Sequence, residues 1–383
     1  MVRIAIIDMY SPHLLLGDNV RKRKIRETLQ KSGIKTLDIR LTPITRSTIT
    51  NFGTFKELFS NFFPPHKANS LKLSFETLSI VEQAEFIVSL NSLVRAIRYI
   101  KPDVLLAEGS KVGWITTLVA KKFSLPSIID VHGLSFAEAR GWGNNRWRHI
   151  FDLEKESFEN CDHLIVVSEK MKLYVLNEMG IPSNKIVIAS NGGDPQVSVA
   201  KYEKPLKVVY AGIFSYWEKL NDFLEIAKYS NEHNFKFFLA GAGPKKDELI
   251  RRIRDEKIPV NYLGYIPTDK IHYLLSKMQI GIAPSTKDLA RQVASPIKIF
   301  DYMASGLPVI TPKIGDWGSL IEREDCGVAV DVDSIHAYLN SLEELSNETL
   351  WQAKSKNAIR AIQKNYNWTK VLEPVTSLVS EYK

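Results

Sequence analysis

Ser295-Pro296-Ile297-Lys298-Ile299-Phe300-Asp301-Tyr302-Met303-Ala304-Ser305-Gly306-Leu307-Pro308-Val309-Ile310 reads in order as loop, short helix, stop and buried strand. Ser295 suits the N-cap, where a hydroxyl accepts from an orphan helical N–H. Pro296 suits the first helical position, which needs no N–H. Gly306 is able to take the left-handed conformation that ends a helix, and Pro308 prevents its continuation. A helix start of this kind presents free N–H groups and about half a positive charge, a place for phosphate. Lys298 in the first turn opposes that dipole, so an anion beside it would explain the position. Asp301 follows one turn later on the same face. An amphipathic helix with a solvated Lys–Asp pair accounts for the same residues, and spacing alone leaves both readings open.

Outward from this stretch, short apolar runs alternate with longer amphipathic ones, the pattern of parallel α/β layers. Strands are expected at 2–8, 35–40, 103–107, 127–131 and 163–167, with helices at 20–32, 80–99, 112–123, 149–159 and 169–179. A second series of strands is expected at 206–211, 235–240, 259–263, 279–283, 308–311 and 328–331. The fold class is therefore α/β, with two Rossmann-like domains in tandem and a linker around Gly192-Gly193-Asp194-Pro195. Ligands of such sheets bind beyond the carboxyl ends of the strands.

The run SPIKIFDYMASGLPVI resembles the nucleotide-sugar motif of GT-B glycosyltransferases, and of the retaining family 4 in particular. That family carries two glutamates separated by seven residues. Asp301 stands at the second, while the first position holds Val293; the SP-x-K-x-x-EYMA variant is the nearest match. Further landmarks follow in family order: Cys161-Asp162-His163-Leu164-Ile165-Val166-Val167-Ser168, Lys185-Ile186-Val187-Ile188 leading to Asn191-Gly192-Gly193-Asp194, Val209-Tyr210-Ala211-Gly212 with Glu218-Lys219, Leu239-Ala240-Gly241-Ala242-Gly243-Pro244, and Leu263-Gly264-Tyr265-Ile266. The resemblance spans about residues 103–370. It implies an acceptor-binding domain over 1–192, a donor-binding domain over 193–365, and a closing segment, 366–383, that crosses back to the first domain. The two parallel sheets are then expected to face each other across a cleft.

The resemblance also implies roles. Lys219 falls where the family has Glu-Lys-Gly and would hold the donor diphosphate, with Lys298 replacing the arginine that the family has at Ile213. Asp301 would accept from the ribose hydroxyls. Gly212 and Gly241 would close on the nucleotide, and the backbone at Tyr265 and Ile266 would read the base. Ser295, Pro296 and Ile297 would frame the phosphate. His132, in Asp130-Val131-His132-Gly133, would face the donor sugar, making His132 and Lys219 the catalytic candidates. Asp288, Arg291 or Gln292 would compensate for the acid absent at Val293. No metal and no cofactor beyond the nucleotide-sugar is expected, since Lys219, Lys298 and the helix start can stabilise a diphosphate. Asp331-Val332-Asp333 looks like a metal pair, but it sits where the family carries none.

Composition bounds the rest. The 383 residues suit two domains, and 44% hydrophobic with 25% charged content is ordinary for a globular chain. No apolar run of about 20 residues occurs, so no spanning helix is expected. The first strand begins almost at Met1, which leaves no room for a signal peptide in the sequence as read. Cys161 and Cys326 form no metal or disulfide pattern, which favours a cytoplasmic location. The net charge of +8 is uneven, with 22 Lys/Arg against 12 Asp/Glu in residues 1–150. That basic half suits an anionic acceptor or a membrane face. No zinc-finger, RRM or KH pattern supports nucleic acid, and Arg21-Lys22-Arg23-Lys24-Ile25-Arg26 reads as a solvated helix face. Phe52, Phe55, Phe59, Phe62 and Phe63 share one helical face, which reads as a core stripe, as an acceptor wall, or as an interfacial helix resting in the membrane headgroup region.

The expectation is transfer of a sugar from a nucleotide diphosphate to a glycan or lipid-linked acceptor, with retention and without metal. A nucleotide-sugar 2-epimerase of the same fold and a catalytically degenerate subunit are the rivals.

Overall fold

The computed structural model describes residues 2–9, 18–41, 80–231 and 233–382. The phenylalanine series from Phe52 to Phe63 lies outside the described residues. Chain contacts divide into two compact units: Met1–Val166 with Lys172–Ile188 and Pro374–Lys383, and Val167–Met171 with Ala189–Glu373.

The first unit is built on β1 (Arg3–Met9), β2 (Lys35–Leu41), β3 (Val104–Glu108), β4 (Ser127–Val131), β5 (His163–Val166) and β6 (Ile186–Ile188). They form one sheet in the order β2-β1-β3-β4-β5-β6, every pair parallel. Helices α1 (Asp18–Lys31), α2 (Ile80–Ile100), α3 (Gly109–Phe123), α4 (Ser135–Gly141), α5 (Trp147–Asn160) and α6 (Glu169–Met179) follow along the chain. Parallel strands covered on both faces need apolar residues throughout, so β4 is buried at all five positions and β3 at four of its five. Ala5, Ile7, Leu105 and Ala107 pack one sheet face against Leu90, Leu93, Trp114 and Ile115 of α2 and α3.

The second unit holds β7 (Leu206–Ile213), β8 (Phe235–Ala242), β9 (Val260–Gly264), β10 (Ile280–Ile282), β11 (Val309–Pro312) and β12 (Gly327–Val330), in the order β12-β11-β10-β7-β8-β9 and again parallel. Its helices are α7 (Leu220–Tyr229), α8 (Lys246–Asp255), α9 (Ile271–Leu275), α10 (Leu289–Gln292), α11 (Ile297–Ala304), α12 (Gly315–Arg323), α13 (Ile335–Leu345), α14 (Glu348–Ala361) and α15 (Trp368–Val371). Tyr210, Phe214, Phe223, Phe237, Phe300 and Tyr302 are the largest fully buried side chains among its described residues. The segment around Gly192-Gly193, expected as a linker, is fixed inside this unit. Gly193 N donates to Tyr366 O at 2.8 Å, and Gly193 bridges Asn367.

The final helix α16 (Glu373–Ser380) buries Val375, Leu378 and Val379. From Pro374 onward it belongs to the first unit, where Tyr382 meets His163 edge-on at 6.4 Å between ring centres.

Candidate functional site

In the first sheet the strand order reverses between β1 and β3, and in the second between β10 and β7. Ligands of open parallel sheets collect beyond the carboxyl ends at such switch points. The residues found there differ sharply between the two units.

In the second unit the switch point is occupied by Gly212, at the end of β7. A Cβ on Gly212 would lie 3.0 Å from Lys298 Cε and 3.1 Å from Nζ, so the absent side chain makes room for that ammonium. Gly241, at φ +137°, has no such room, because its Cβ would fall 1.8 Å from Gly212 O. Lys298 is nearly buried. Its Nζ donates to Glu218 and, at 2.8 Å, to Tyr210 Oη, and it lies 4.4 Å from the Tyr210 ring centre. Glu218, 2% exposed, also faces Arg291 Nη2 at 3.8 Å, and Arg291 Nε donates to Ser285 Oγ at 3.0 Å. Burial opposes ionisation of Glu218, but the charges of Lys298 and Arg291 win and hold its carboxyl below the usual range. Burial, with Arg291 nearby, pulls the Lys298 ammonium down to about 8 against the pull of Glu218. Two cations thus share one carboxylate in a low-dielectric setting, an arrangement with spare capacity for an anion.

Two local expectations change. Lys298 pairs with Glu218 rather than Asp301, because its long stem reaches back across α11 to β7; Asp301 faces His272 Nε2 at 3.6 Å instead. Ser295 does not cap α11. Its Oγ accepts from Asn191 N at 3.1 Å and its carbonyl accepts from Asn191 Nδ2 at 2.5 Å, so the helix begins at Ile297 with Pro296 as N-cap and no side-chain cap. Lys219 stands beside Glu218 in the left-handed region at φ +41°, and its Nζ pairs with Asp333 and, at 2.6 Å, with Asp222.

The remaining candidates are more dispersed. Tyr265 is 46% exposed just past β9, while Ile266 packs on the core. Val293 is buried, and its carbonyl accepts from Ser168 Oγ at 2.6 Å. Asp288 caps α10, accepting from Arg291 N at 3.2 Å and from Thr286 Oγ1 at 2.7 Å. Gln292 Nε2 donates to Lys287 O at 2.7 Å. Of the three residues expected to compensate at Val293, only Arg291 joins the buried cluster. Asp333 is occupied by Lys219 and lies 3.8 Å from Lys287. Among the described residues, no group of three His, Cys, Asp or Glu is placed to hold a metal ion.

In the first unit, register places Glu108 beside Asp130, and Ile7 beside Ala107, which sets Asp8 next to Glu108. Three carboxylates therefore stand in one rank across β1, β3 and β4. Two have cations from α1. Asp130 is bound by the fork of Arg21, with Nε donating to Oδ2 at 2.8 Å and Nη2 to Oδ1 at 2.7 Å, and Asp8 is bound by Lys22. Both Arg21 and Lys22 are buried. This corrects their expected place on a solvated face: they lie four and three positions before Ile25, on the side of α1 that meets the sheet. Burial opposes ionisation of Asp130, but Arg21 and His132 together hold it well below the usual carboxylate range. His132 follows β4, with Nδ1 3.3 Å from Asp130 Oδ2 and its side chain 20% exposed.

Glu108, the third member, was not foreseen. Its Oε1 has no hydrogen-bond partner among the described residues, and burial pushes its carboxyl up to about 8. The sequence signal for it was an acid at the end of an otherwise apolar strand. A cavity of about 650 Å³ opens at the opposite edge of this sheet, lined by Lys121, Ser127, Asp162, His163, Lys185 and Tyr382; it lies away from these groups.

Beyond His132, the stretch from Arg140 to Arg148 carries no acidic residue. Trp142 is 46% exposed, and the Arg140 and Arg148 guanidinium groups lie 5.2 and 4.6 Å from the Trp147 ring. Trp147 opens α5, which runs back to the start of β5. Its first turn therefore sits at the carboxyl edge of the sheet.

Known proteins share this architecture. Residues 76–197 match the family Glycosyltransferase Family 4, and residues 205–348 match Glycosyl transferases group 1. The Escherichia coli UDP-Gal:α-D-GlcNAc-diphosphoundecaprenol α-1,3-galactosyltransferase is 23% identical over 323 residues, covering 79% of this chain and 80% of that protein. Among solved structures, a sucrose-phosphate synthase from Thermosynechococcus elongatus aligns over 100% of this chain and 99% of its own, with TM-score 0.75 and 15% identity. The Anabaena protein HepE in complex with UDP-glucose aligns over 100% of both chains, with TM-score 0.72 and 14% identity. With two parallel sheets of this topology and both family matches in tandem, the chain is a glycosyltransferase of the GT-B fold, its first half similar to Glycosyltransferase Family 4 and its second to Glycosyl transferases group 1.

Proposed function

We propose that this glycosyltransferase moves a hexose from a uridine-diphosphate sugar to a saccharide carried on a lipid diphosphate, with retention at the anomeric carbon and without a divalent metal. The observation that carries the reading is the buried Lys298–Glu218–Arg291 cluster beside Gly212. Its excess positive charge, with the uncapped start of α11, suits a diphosphate. Lys219 approaches the same phosphates by releasing Asp333. The name of the Escherichia coli relative supports the donor and acceptor classes.

In the step we envisage, the acceptor oxygen forms its bond to the anomeric carbon on the face from which the diphosphate departs. The anomeric C–O bond breaks, its electrons pass to the diphosphate, and the acceptor proton goes to a phosphate oxygen. Such a step needs positioning and preorganised charge more than a general base. His132 serves the sugar. The Arg140, Arg148 and Trp147 surface favours an anionic acceptor, with peripheral contact at a membrane face. Among the described residues, no helix is long and apolar enough to cross a membrane.

The test is a panel of UDP-hexoses with a short-chain lipid-diphosphate saccharide, read as product and released UDP. Lys219→Ala is expected to weaken UDP binding by about 1.5–3 kcal/mol, the range of a charge-assisted hydrogen bond. Calorimetry showing unchanged affinity would remove Lys219 from the phosphate site. Turnover is expected to survive excess EDTA. Loss restored by magnesium or manganese, and not by ionic strength alone, would overturn the metal-free reading. Interconversion of the free donor sugar without transfer would revive the epimerase.

A further inference from the structure

We infer that Arg21 is a positioning residue for the transfer reaction: through Asp130 it fixes His132 with the proton on Nδ1, which makes Nε2 the acceptor nitrogen of the ring. This rests on the reading that His132 serves the donor sugar.

The argument begins with the hydrogen-bond capacity of one carboxylate. Asp130 sits at the carboxyl end of β4 with no exposed surface. Arg21 approaches it as a fork, using Nε on Oδ2 at 2.8 Å and Nη2 on Oδ1 at 2.7 Å. A guanidinium donates only, so both oxygens are committed as acceptors. Oδ2 keeps a lone pair, and His132 Nδ1 lies 3.3 Å from it. An ionised carboxylate only accepts, so the imidazole nitrogen facing it must carry the proton. Nε2 of a neutral ring is then the acceptor.

Arg21 contributes more than charge. Both partners are buried, at 1% and 0% side-chain exposure, so the geometry is fixed by packing and not by solvent. The fork sets the plane of the carboxylate, and that plane sets the direction of the lone pair that meets His132. Among the described residues, the two neighbouring carboxylates are engaged differently. Asp8 is taken by Lys22 and approached by Arg40 at 3.5 Å, and Glu108, the in-register neighbour of Asp130, carries a carboxyl that burial keeps from ionising readily. A lysine at position 21 would keep the charge and lose the fork.

Two measurements decide the matter. The first is nitrogen-edited NMR of the full chain labelled on histidine, with the His132 signal identified by its loss in His132→Gln. The neutral ring is expected as the Nδ1–H tautomer; an Nε2–H tautomer overturns the inference, whether or not any Arg21 variant folds. The second is a kinetic cycle on release of UDP from UDP-galactose in the presence of the lipid-diphosphate acceptor. Arg21→Lys is expected to lower kcat by about tenfold or more through misplacement of His132, with little change in KM for the donor. In the His132→Gln background the same substitution is expected to change kcat by less than about twofold, because coupled groups do not add. An equal loss in both backgrounds overturns the inference while leaving the role of His132 intact. If His132→Gln retains full turnover, the role of His132 falls and the positioning of it falls as well.

Discussion

Lys298→Ala is expected to lower the free energy of unfolding by about 3–5 kcal/mol, because it leaves the buried carboxylate of Glu218 short of its closest cation. Glu218 is 2% exposed, and its remaining cation, Arg291, stands 3.8 Å away and is already engaged with Ser285. The substitution therefore acts on the fold as well as on the donor phosphates. Replacing the pair together, as Lys298→Met with Glu218→Leu, is expected to recover most of the stability but none of the UDP affinity. Chemical denaturation of both variants, alongside calorimetry with UDP, separates the two effects. A loss under about 1 kcal/mol in Lys298→Ala would show that solvent reaches Glu218 and that the pair is an exposed one. Lys219→Ala serves as the contrast, since Asp222 and Asp333 remain near solvent when their lysine is removed.

The second large effect concerns Glu108 and runs with pH. Its carboxyl ionises near 8 in the folded chain and near 4.5 when unexposed to that environment. A raised folded value means that the contribution is fully present below the unfolded value and is lost as pH rises through about 8. Stability is thus expected to decline between pH 4.5 and 8 by about 3–4 kcal/mol from this group. Glu108→Gln removes the ionisation and should flatten that slope, leaving the variant more stable than the parent at pH 8. Denaturation midpoints across the range check it. Parallel slopes for parent and variant would show that Glu108 finds a cation or water on ionising. A residue that costs stability at the ligand edge of a sheet is the pattern expected where function opposes stability.

Most of the fold was legible because a strand buried on both faces cannot alternate and shows as a continuous apolar run. That signal located β4 at its observed ends and most other strands within a residue or two. It passed over β6, whose three residues, Ile186–Ile188, are too few to stand out from a connecting segment. The stop of α11 was readable from Gly306, observed at φ +75°, since backbone conformation is written in glycine itself. The start was not. A serine able to cap a helix is equally able to accept from Asn191 N, and only the folded chain decides between the two.

The candidate site followed the same division. Gly212, Glu218 and Lys219 stand out as one local series and Lys298 in another, but their pairings do not show. Lys298 meets a residue 80 positions earlier, and Arg21 one 109 positions later. Charge runs read as solvated by default because most are. The departure at Arg21 and Lys22 comes from carboxylates at distant strand ends, which sequence spacing along α1 does not register.

The return of Pro374–Lys383 to the first unit has a consequence for how the protein is made. A ribosome releases residues 167–373, and with them everything the second unit needs, before it releases the helix that the first unit lacks. Domains fold as they are completed. The half encoded second can therefore finish first, while the half encoded first waits with the site of Val375, Leu378 and Val379 uncovered. Nascent chains arrested short of residue 374 should already protect the second sheet from protease, and the first sheet should gain its full protection only after residues 374–383 have left the exit tunnel.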